Sequence, residues 1–285
     1  MVSPAEDDSW FAPAKRFNGL PNIFVSLSNI AKLKPDGALR KFENRSCTSN
    51  DVGSKLNDMK KYGQYCPIAK AAEILTERWA LLVIRELIMG SSHYNDIRRG
   101  MPLISPSVLA QRLKTLEESG IIECRRSSSG RSSEYKLTPA GAELEPIIQS
   151  FGIWGQRWVR NRIQEDDLDA GFLMWDIRRN IQTDQLPRRQ TVIYFEFSDA
   201  KKGMKRWWLV VEDGEVDLCI DDPGREIDLA VFTDLGCFTR VWMGDIDLAS
   251  ARSAGTVRLE GQGKLKQTMT QWLGPSPFAA ISAVE

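Results

Sequence analysis

The sequence predicts an α+β protein with two successive domains behind an N-terminal extension. Three observations support this prediction: a helix with one polar face at residues 105–119, a short β-hairpin directly after it, and short apolar strands followed by helical sequence in the last third of the chain. The length of 285 residues suits roughly one to three domains. We therefore expect an extension at 1–58, a first domain at 59–165 and a smaller α+β domain at 166–285.

The extension at residues 1–58 has no clear periodic pattern. Isolated aromatic residues such as Trp10 and Phe24 stand among Asn, Ser, Pro and Lys, and only residues 22–33 show a weak apolar pattern. We expect this segment to be disordered. The alternative is that it is not native sequence, because Met59 stands directly before the first well-patterned helix.

Three short helices are predicted ahead of residue 105. The first follows Cys66 and Pro67, the second spans residues 78–89 and ends at Gly90, and the third spans residues 93–99. Each has apolar residues at helical spacing, so each is expected to bury one face. A turn at residues 100–104 would then lead into the next helix.

The stretch at residues 104–120 is the one on which the predicted function depends. Ser105 followed by Pro106 is a strong helix start, because serine caps free backbone amides and proline fits the first helical position. Leucine recurs at helical spacing after it, and Gly120 can end the helix in a left-handed conformation. The outward face is short, polar and basic, which suits a helix that lies in a major groove. An ordinary amphipathic surface helix is the alternative.

A β-hairpin with basic residues follows directly. Its strands are predicted at residues 121–126 and 135–137, and residues 127–133 form the turn. An arginine near the tip, such as Arg131, can approach a narrow minor groove. A solvated hairpin whose charges only aid solubility is the alternative. Helix and hairpin in this order, after three helices, predict a winged helix-turn-helix.

The charge distribution agrees with this division. The formal net charge is zero, but residues 60–164 carry 16 basic and 10 acidic residues, whereas residues 165–285 carry 14 and 21. A basic middle can approach DNA phosphates, and an acidic end is repelled by them.

A further helix is predicted from the Thr138-Pro139 cap to about residue 164. Its apolar face, which includes Phe151, Trp154 and Trp158, is larger than a small winged domain can bury by itself. Such a face usually pairs with a second copy and forms a two-fold dimer. Two DNA-reading helices would then lie about 34 Å apart, one turn of DNA.

Several motifs of this region occur in a specific order: CPIAKAAEILTERWALLVIRELIMG, then HYNDIRRGMPLISPSVLAQRLKTLEESGIIECR, then EYKLTPAG. From Cys66 to about Arg162 they resemble the HxlR family of bacterial transcriptional regulators, which implies a homodimer that binds a double-stranded DNA operator, expected to be palindromic. The resemblance implies wing contacts from Arg126 and Arg131, and groove contacts from Ser105, Pro106, Ser107, Val108, Gln111 and Arg112. The helix pattern adds Lys114 to the groove contacts.

The cysteine pattern argues for a cytoplasmic protein with reduced thiols. The five cysteines are odd in number and show no zinc-site spacing. Cys66 stands where the family has its opening cysteine, which in some members senses oxidants or electrophiles. The resemblance therefore makes Cys66 a candidate redox sensor, with a packed structural cysteine as the alternative.

The sequence argues against catalytic, metal-binding and cofactor-binding functions. His93 is the single histidine, which excludes most histidine-based triads and multi-histidine metal sites. No dinucleotide or phosphate-binding loop and no serine nucleophile motif is present, so we expect no catalytic residues, metal or cofactor. No run of 18 apolar residues occurs, so no membrane-spanning helix is expected.

The last third is predicted as a helix at residues 168–181, an antiparallel sheet and further helices. Strands are expected at residues 191–197, 207–212, 215–220, 227–233 and 257–259, and helices at 235–243, 248–254 and 264–273. The runs RWWLVVEDGEVDLCIDDPG and IDLAVFTDLGCFTRVWMGD resemble the sterol carrier protein type 2-like domain, which can enclose a tunnel for lipid-like molecules. The resemblance makes candidate ligand contacts of Phe195, Trp208, Phe232, Phe238 and Trp242, although such residues can equally fill the core.

Two functions of different classes follow. The first is a dimeric, non-enzymatic transcriptional regulator whose C-terminal domain binds a small apolar ligand or contributes dimer contacts. The second is a lipid-binding or carrier protein whose winged domain mediates protein contacts. An enzyme that acts on an apolar substrate has the least support.

Overall fold

The computed structural model describes residues 61–126, 133–282 and 284. The predicted extension at 1–58 and the tip of the predicted hairpin lie outside these residues. The first half of the described chain consists of helices followed by a hairpin, as the sequence predicts. Its elements are α1 (Pro67–Leu75), α2 (Ala80–Ile88), α3 (Tyr94–Arg99), α4 (Pro106–Glu118), β1 (Ile122–Arg126), β2 (Ser133–Leu137), α5 (Pro139–Ala142) and α6 (Glu145–Trp158).

Helix α2 begins two residues later than the spacing predicts. Trp79 has a left-handed backbone with φ of 77°, which is uncommon for a residue other than glycine and separates the α1–α2 turn from the helix. Helices α1 to α4 and the hairpin then enclose a small core, in which Ile84, Leu109 and Leu116 are fully buried.

The prediction of a single helix from Thr138 to about residue 164 is wrong. The structure breaks it into α5 and α6, and a 3-10 turn at Arg160–Arg162 follows. Pro146 explains the break, because proline has no N–H to donate and its ring clashes with the carbonyl four residues earlier, which belongs to Ala142.

The second half of the described chain combines a five-stranded sheet with helices. Helix α7 lies ahead of the sheet, and the predicted helix at 264–273 is divided in two at Thr268. The elements are α7 (Ala170–Asn180), β3 (Thr191–Phe197), β4 (Arg206–Glu212), β5 (Glu215–Cys219), β6 (Leu229–Thr233), α8 (Leu235–Trp242), α9 (Leu248–Ser253), β7 (Val257–Gly261), α10 (Gly263–Gln267) and α11 (Met269–Trp272).

The sheet is mixed, which corrects the prediction of an antiparallel one. Its strand order is β5-β4-β3-β6-β7, and β6 runs parallel to β3. The reason lies at Asp228, whose buried carboxylate accepts a hydrogen bond from the Val192 backbone N–H at 2.8 Å. The Asp228 N–H in turn donates to the Val192 carbonyl oxygen at 2.9 Å, so β6 must start beside the start of β3.

Three buried clusters result. The first lies within the winged region, the second packs α7, α8 and the later helices against one face of the sheet, and a small third cluster lies on the opposite face. Chain contacts nevertheless join everything from residue 61 onward into one compact unit.

Candidate nucleic-acid interface

Helix α4 presents a polar surface to solvent at its N-terminal end. The Ser105 hydroxyl accepts a hydrogen bond from the Val108 backbone N–H at 3.3 Å and caps the helix, as predicted. The Tyr94 hydroxyl donates to the Pro106 carbonyl oxygen at 2.9 Å and ties this end of α4 to α3. The leucine face is buried, and Gly120 ends the helix with φ of 71°.

Most predicted groove contacts are accessible on this surface. Val108 is half-buried at its edge, and the others are exposed: Ser105, Pro106, Ser107, Gln111 and Lys114. Their contact with DNA stays a prediction.

Arg112 is buried, unlike the other predicted groove contacts, and this corrects its assignment as a groove contact. Its side chain is only 9% exposed, and its Nη2 lies 3.0 Å from Glu77 Oε2 in an ion pair. Glu77 lies in the turn between α1 and α2. Arg112 therefore fixes α4 to that turn. Helical spacing alone placed it at the margin of the outward face, because the partner lies 35 residues away in sequence.

The hairpin stands beside α4 as a wing. Its strands pair from Ile122 with Leu137 to Arg126 with Ser133. The Tyr135 N–H donates to the Ser92 carbonyl oxygen at 2.7 Å, which anchors the wing to the α2–α3 turn. Arg126, a predicted wing contact, is the last residue of the first wing strand.

Two cations of the wing are already paired with acids. Arg125 lies 2.7 Å from Glu123, and Lys136 lies 3.0 Å from Glu134. Arg131, the predicted minor-groove contact, lies outside the described residues, and its role stays a prediction.

The winged region is joined to the second half of the chain by a buried carboxylate, a feature that the sequence did not reveal. Glu86 in α2 is fully buried. Its Oε1 accepts hydrogen bonds from Arg85 Nε at 3.1 Å and Nη2 at 2.7 Å, and its Oε2 accepts one from the Ser91 hydroxyl at 3.3 Å. We call Glu86 with its donors the Glu86 cluster.

Two further donors of this cluster come from α7. Arg179 Nη1 donates to Glu86 Oε2 at 2.6 Å, and Trp175 Nε1 lies 3.4 Å from the same oxygen. The Arg179 side chain is 7% exposed and also contacts Asp176 in an ion pair. A buried charge of this kind is tolerated because it is paired and hydrogen-bonded on both oxygens.

Aromatic contacts and a glycine complete this junction. The Arg85 guanidinium lies 5.2 Å from the ring centre of Phe172, and that of Arg99 lies 5.5 Å from Trp175, at cation–π distances. A Cβ at Gly100 would lie 2.0 Å from the Glu86 carboxyl carbon, so a side chain there would displace the carboxylate. Helix α7 is thereby fastened to α2 and α3.

The five candidate ligand contacts do not share one surface. Phe195, Phe238 and Trp242 lie in the core between the sheet and its helices, whereas Trp208 and Phe232 lie on the opposite face of the sheet. The alternation of strand side chains explains the split, since Trp208 pairs with Tyr194 and not with Phe195. A single tunnel lined by all five is therefore not formed.

A cavity in the described residues lies elsewhere. It measures about 850 Å³ and is lined by residues from 160–168 and from the region of α8 and α9, and none of the five candidates lines it. No sequence motif marked it, because its walls come from three separate stretches of chain.

Cys66 occupies the N-cap position of α1 and is half-buried, and its side chain makes no capping hydrogen bond. Cys66, Cys124, Cys219 and Cys237 are free thiols. A sensor role for Cys66 stays a prediction.

Comparison with known proteins agrees with the geometry of α4 and the wing. Residues 74–163 match the family model of the HxlR-like helix-turn-helix. The HTH-type transcriptional regulator YvaP of Bacillus subtilis (strain 168) is 34% identical over 100 residues, which are 34% of this chain and 91% of that protein. The chain belongs to the HxlR family.

Two further proteins are similar to this stretch of the chain. The HTH-type transcriptional regulator sll1512 of Synechocystis sp. is 31% identical over 38% of this chain and 82% of its own length. The reduced form of the regulator YodB from B. subtilis is a solved structure, with 30% identity, a TM-score of 0.31, and coverage of 34% of this chain and 98% of that one. The HxlR match ends at residue 163, ahead of α7 and the sheet.

Two features are missing from the described part of the chain. Among them, no helix is long and apolar enough to cross a membrane. No group of three or more potential metal ligands was found in the same part of the chain.

We predict that Glu86→Ala lowers the free energy of unfolding by about 3–5 kcal/mol, because Arg179 then keeps its buried charge with Asp176 as its remaining carboxylate partner, and the other donors to Glu86 lose this acceptor. Chemical denaturation measures this, and Glu143→Ala, at an exposed position, should stay within about 0.5 kcal/mol of the parent protein. A double-mutant cycle of Glu86→Gln and Arg179→Gln should give a coupling energy above about 0.5 kcal/mol. Additive effects would show that the pair does not join the two regions.

Proposed function

We propose that the protein is a cytoplasmic, homodimeric transcriptional regulator that reads a palindromic DNA operator with α4 and the wing at residues 121–137. One observation carries the proposal: α4 exposes a polar surface while its leucine face is buried, within the stretch that matches the HxlR family. The relatives reported above are named as transcriptional regulators, which supports a regulator and not an enzyme.

The exposed side chains suit two kinds of DNA contact. Gln111 can bind an adenine edge with two hydrogen bonds, and Lys114 and the serines at the start of α4 can contact phosphates. Arg126 and Arg131 would add the wing contact. Base reading is thus assigned to Gln111 and positioning to the residues around it.

The surface of α6 supports the homodimer. Four large apolar side chains lie on one stripe of this helix, and each is more than half exposed: Ile147, Phe151, Trp154 and Trp158. Contiguous apolar surface of this kind marks an interaction site. A second copy that is related by a two-fold axis would cover the stripe and place two α4 helices about one DNA turn apart.

The C-terminal half would bind a small apolar ligand and change the affinity for the operator. A ligand does this only if it binds two arrangements of the dimer unequally. The cavity next to α8 and α9 supports such a ligand. The same cavity would serve a lipid carrier whose winged region contacts proteins, and this second function predicts no operator binding.

The test is binding of the purified protein to DNA upstream of its own gene and of neighbouring genes, at two salt concentrations, with unrelated DNA as competitor. We expect binding that resists the competitor. Electrostatic contacts with phosphates weaken steeply with salt and carry no sequence information. If unrelated DNA abolishes the binding, only such contacts are present, and this result would overturn the proposal and favour the lipid carrier.

Gln111→Ala should cost about 1–3 kcal/mol on the operator and relax specificity at one base pair. Titration against operators that carry single base changes measures this effect. Gln149→Ala, on the exposed surface of α6, is the matched control and should leave specificity unchanged. An equal loss on every sequence would mean that Gln111 reads no base.

Replacing Phe151 and Trp154 by serine should convert the dimer into a folded monomer, since the two rings then no longer bury apolar surface against the second copy. Light scattering after size exclusion gives the mass, and circular dichroism verifies the fold. Gln149→Ser, off the apolar stripe of the same helix, should leave the mass unchanged. A double variant that keeps the parent mass would place the dimer interface elsewhere.

A further inference from the structure

The cavity of about 850 Å³ lies directly after the C-terminal end of α6. One wall is the segment at 160–168, which links α6 to α7, and the other walls are α8, α9 and the loop between them. Its volume falls in the range of roughly 300–1,000 Å³ that is typical of pockets for small molecules. The apolar lining includes Ile163, Leu168, Met243, Ile246, Ala251 and Ala254.

Three charged residues of the lining lie close together: Arg160, Arg240 and Asp245. Arg160 is only 13% exposed and forms an ion pair with Asp245. Arg240 lines the same cavity, and in the described residues its guanidinium has no ion pair or hydrogen bond. Burial, together with the charge of Arg240, lowers the pKa of the Arg160 guanidinium. Two cations therefore face one carboxylate.

The two other acids of the lining, Asp234 and Glu165, form no ion pair with Arg240 in the described residues. Asp234 caps α8, because its carboxylate accepts a hydrogen bond from the Cys237 backbone N–H at 2.6 Å. Glu165 is exposed at the cavity rim. The exposed guanidinium of Arg240 thus has no direct partner among the described residues and lies beside an apolar space.

We propose that this cavity binds an elongated, mainly apolar molecule with a single anionic group, and that Arg240 pairs with that group. A carboxylate is the simplest such group, because a guanidinium can donate two parallel hydrogen bonds to it. The apolar body of the ligand occupies the space along Leu168, Met243 and Ile246. The proposal deepens the proposed function, on which it rests only for the regulatory role of the ligand.

The position of the cavity explains how such a ligand would affect α6, the helix of the proposed dimer interface. Arg160 follows α6 after one residue and lines the same cavity as Arg240. The C-terminal segment connects the same elements from outside. Phe278 lies against Gly152 in α6, and the Val284 N–H donates to the Arg157 carbonyl oxygen at 2.9 Å. A filled cavity therefore acts on the end of α6.

The test uses the full chain and two fluorescent probes, a dansyl-labelled undecanoic acid and the same molecule with a primary amide in place of the carboxylate. Dansyl fluorescence rises when the probe leaves water, so titration gives both dissociation constants. We expect the acid to bind at least tenfold more tightly than the amide.

Three variants locate the site. Arg240→Ala should weaken binding of the acid about tenfold and leave binding of the amide unchanged. Arg252→Ala, an exposed arginine on α9 outside the cavity lining, is the matched control and should change neither. Ala254→Trp, at an exposed lining position, should weaken both probes because its ring enters the cavity. Circular dichroism verifies the fold of each variant.

The outcomes separate this proposal from the proposed function. Equal binding of acid and amide, or no effect of Arg240→Ala, would overturn the anionic class of ligand. Full binding of both probes to Ala254→Trp would overturn the site, and no binding of either probe would overturn the proposal entirely. Each readout is independent of DNA, whereas failure of the proposed function would appear as loss of operator binding with probe binding intact.

Discussion

The Glu86 cluster is the interaction on which the arrangement of the two halves depends. A fully buried carboxylate is stable only when both of its oxygens are satisfied, and Glu86 receives donors from its own region and from Arg179 and Trp175 in α7. Helix α7 adds two donors to Glu86 Oε2, whose donor from the winged region is the Ser91 hydroxyl at 3.3 Å. Gly100 leaves the space that the carboxylate occupies. Charge, not apolar contact alone, sets how the halves join.

The Glu86 cluster and the cavity use different stretches of the chain that follows α6, namely α7 for the cluster and residues 160–168 for the cavity. The Glu86 cluster holds α7 against α2 and α3, near the elements that support α4. The cavity lies where the chain leaves α6, beside Arg160 and Asp245. The junction is thus close to the elements that support α4, while the cavity borders the end of α6. In the proposed regulator, this arrangement would let a ligand act on the dimer geometry without contacting the exposed surface of α4.

Ion pairs with distant partners also limited what helical spacing could predict for α4. The periodicity located its leucine face, its Ser105 cap and its exposed positions, because these depend on neighbours within one or two turns. Arg112 has a suitable spacing for a groove contact, yet it pairs with Glu77 in an earlier turn. Similarly, five aromatic residues have the composition of a lipid tunnel, but strand alternation places Trp208 and Phe195 on opposite faces of the sheet.

The sequence by itself determined the local elements of this protein: the helices and wing of the HxlR region, the strands of the second half, and the apolar stripe of α6. These follow from periodicity, capping and proline or glycine positions, which act over a few residues. The tertiary structure decided the parallel pairing at Asp228, the inward turn of Arg112, the Glu86 cluster and the cavity beside Arg240. Each joins residues that are far apart in the chain, so the requirement to pair buried polar groups, not local propensity, determines them.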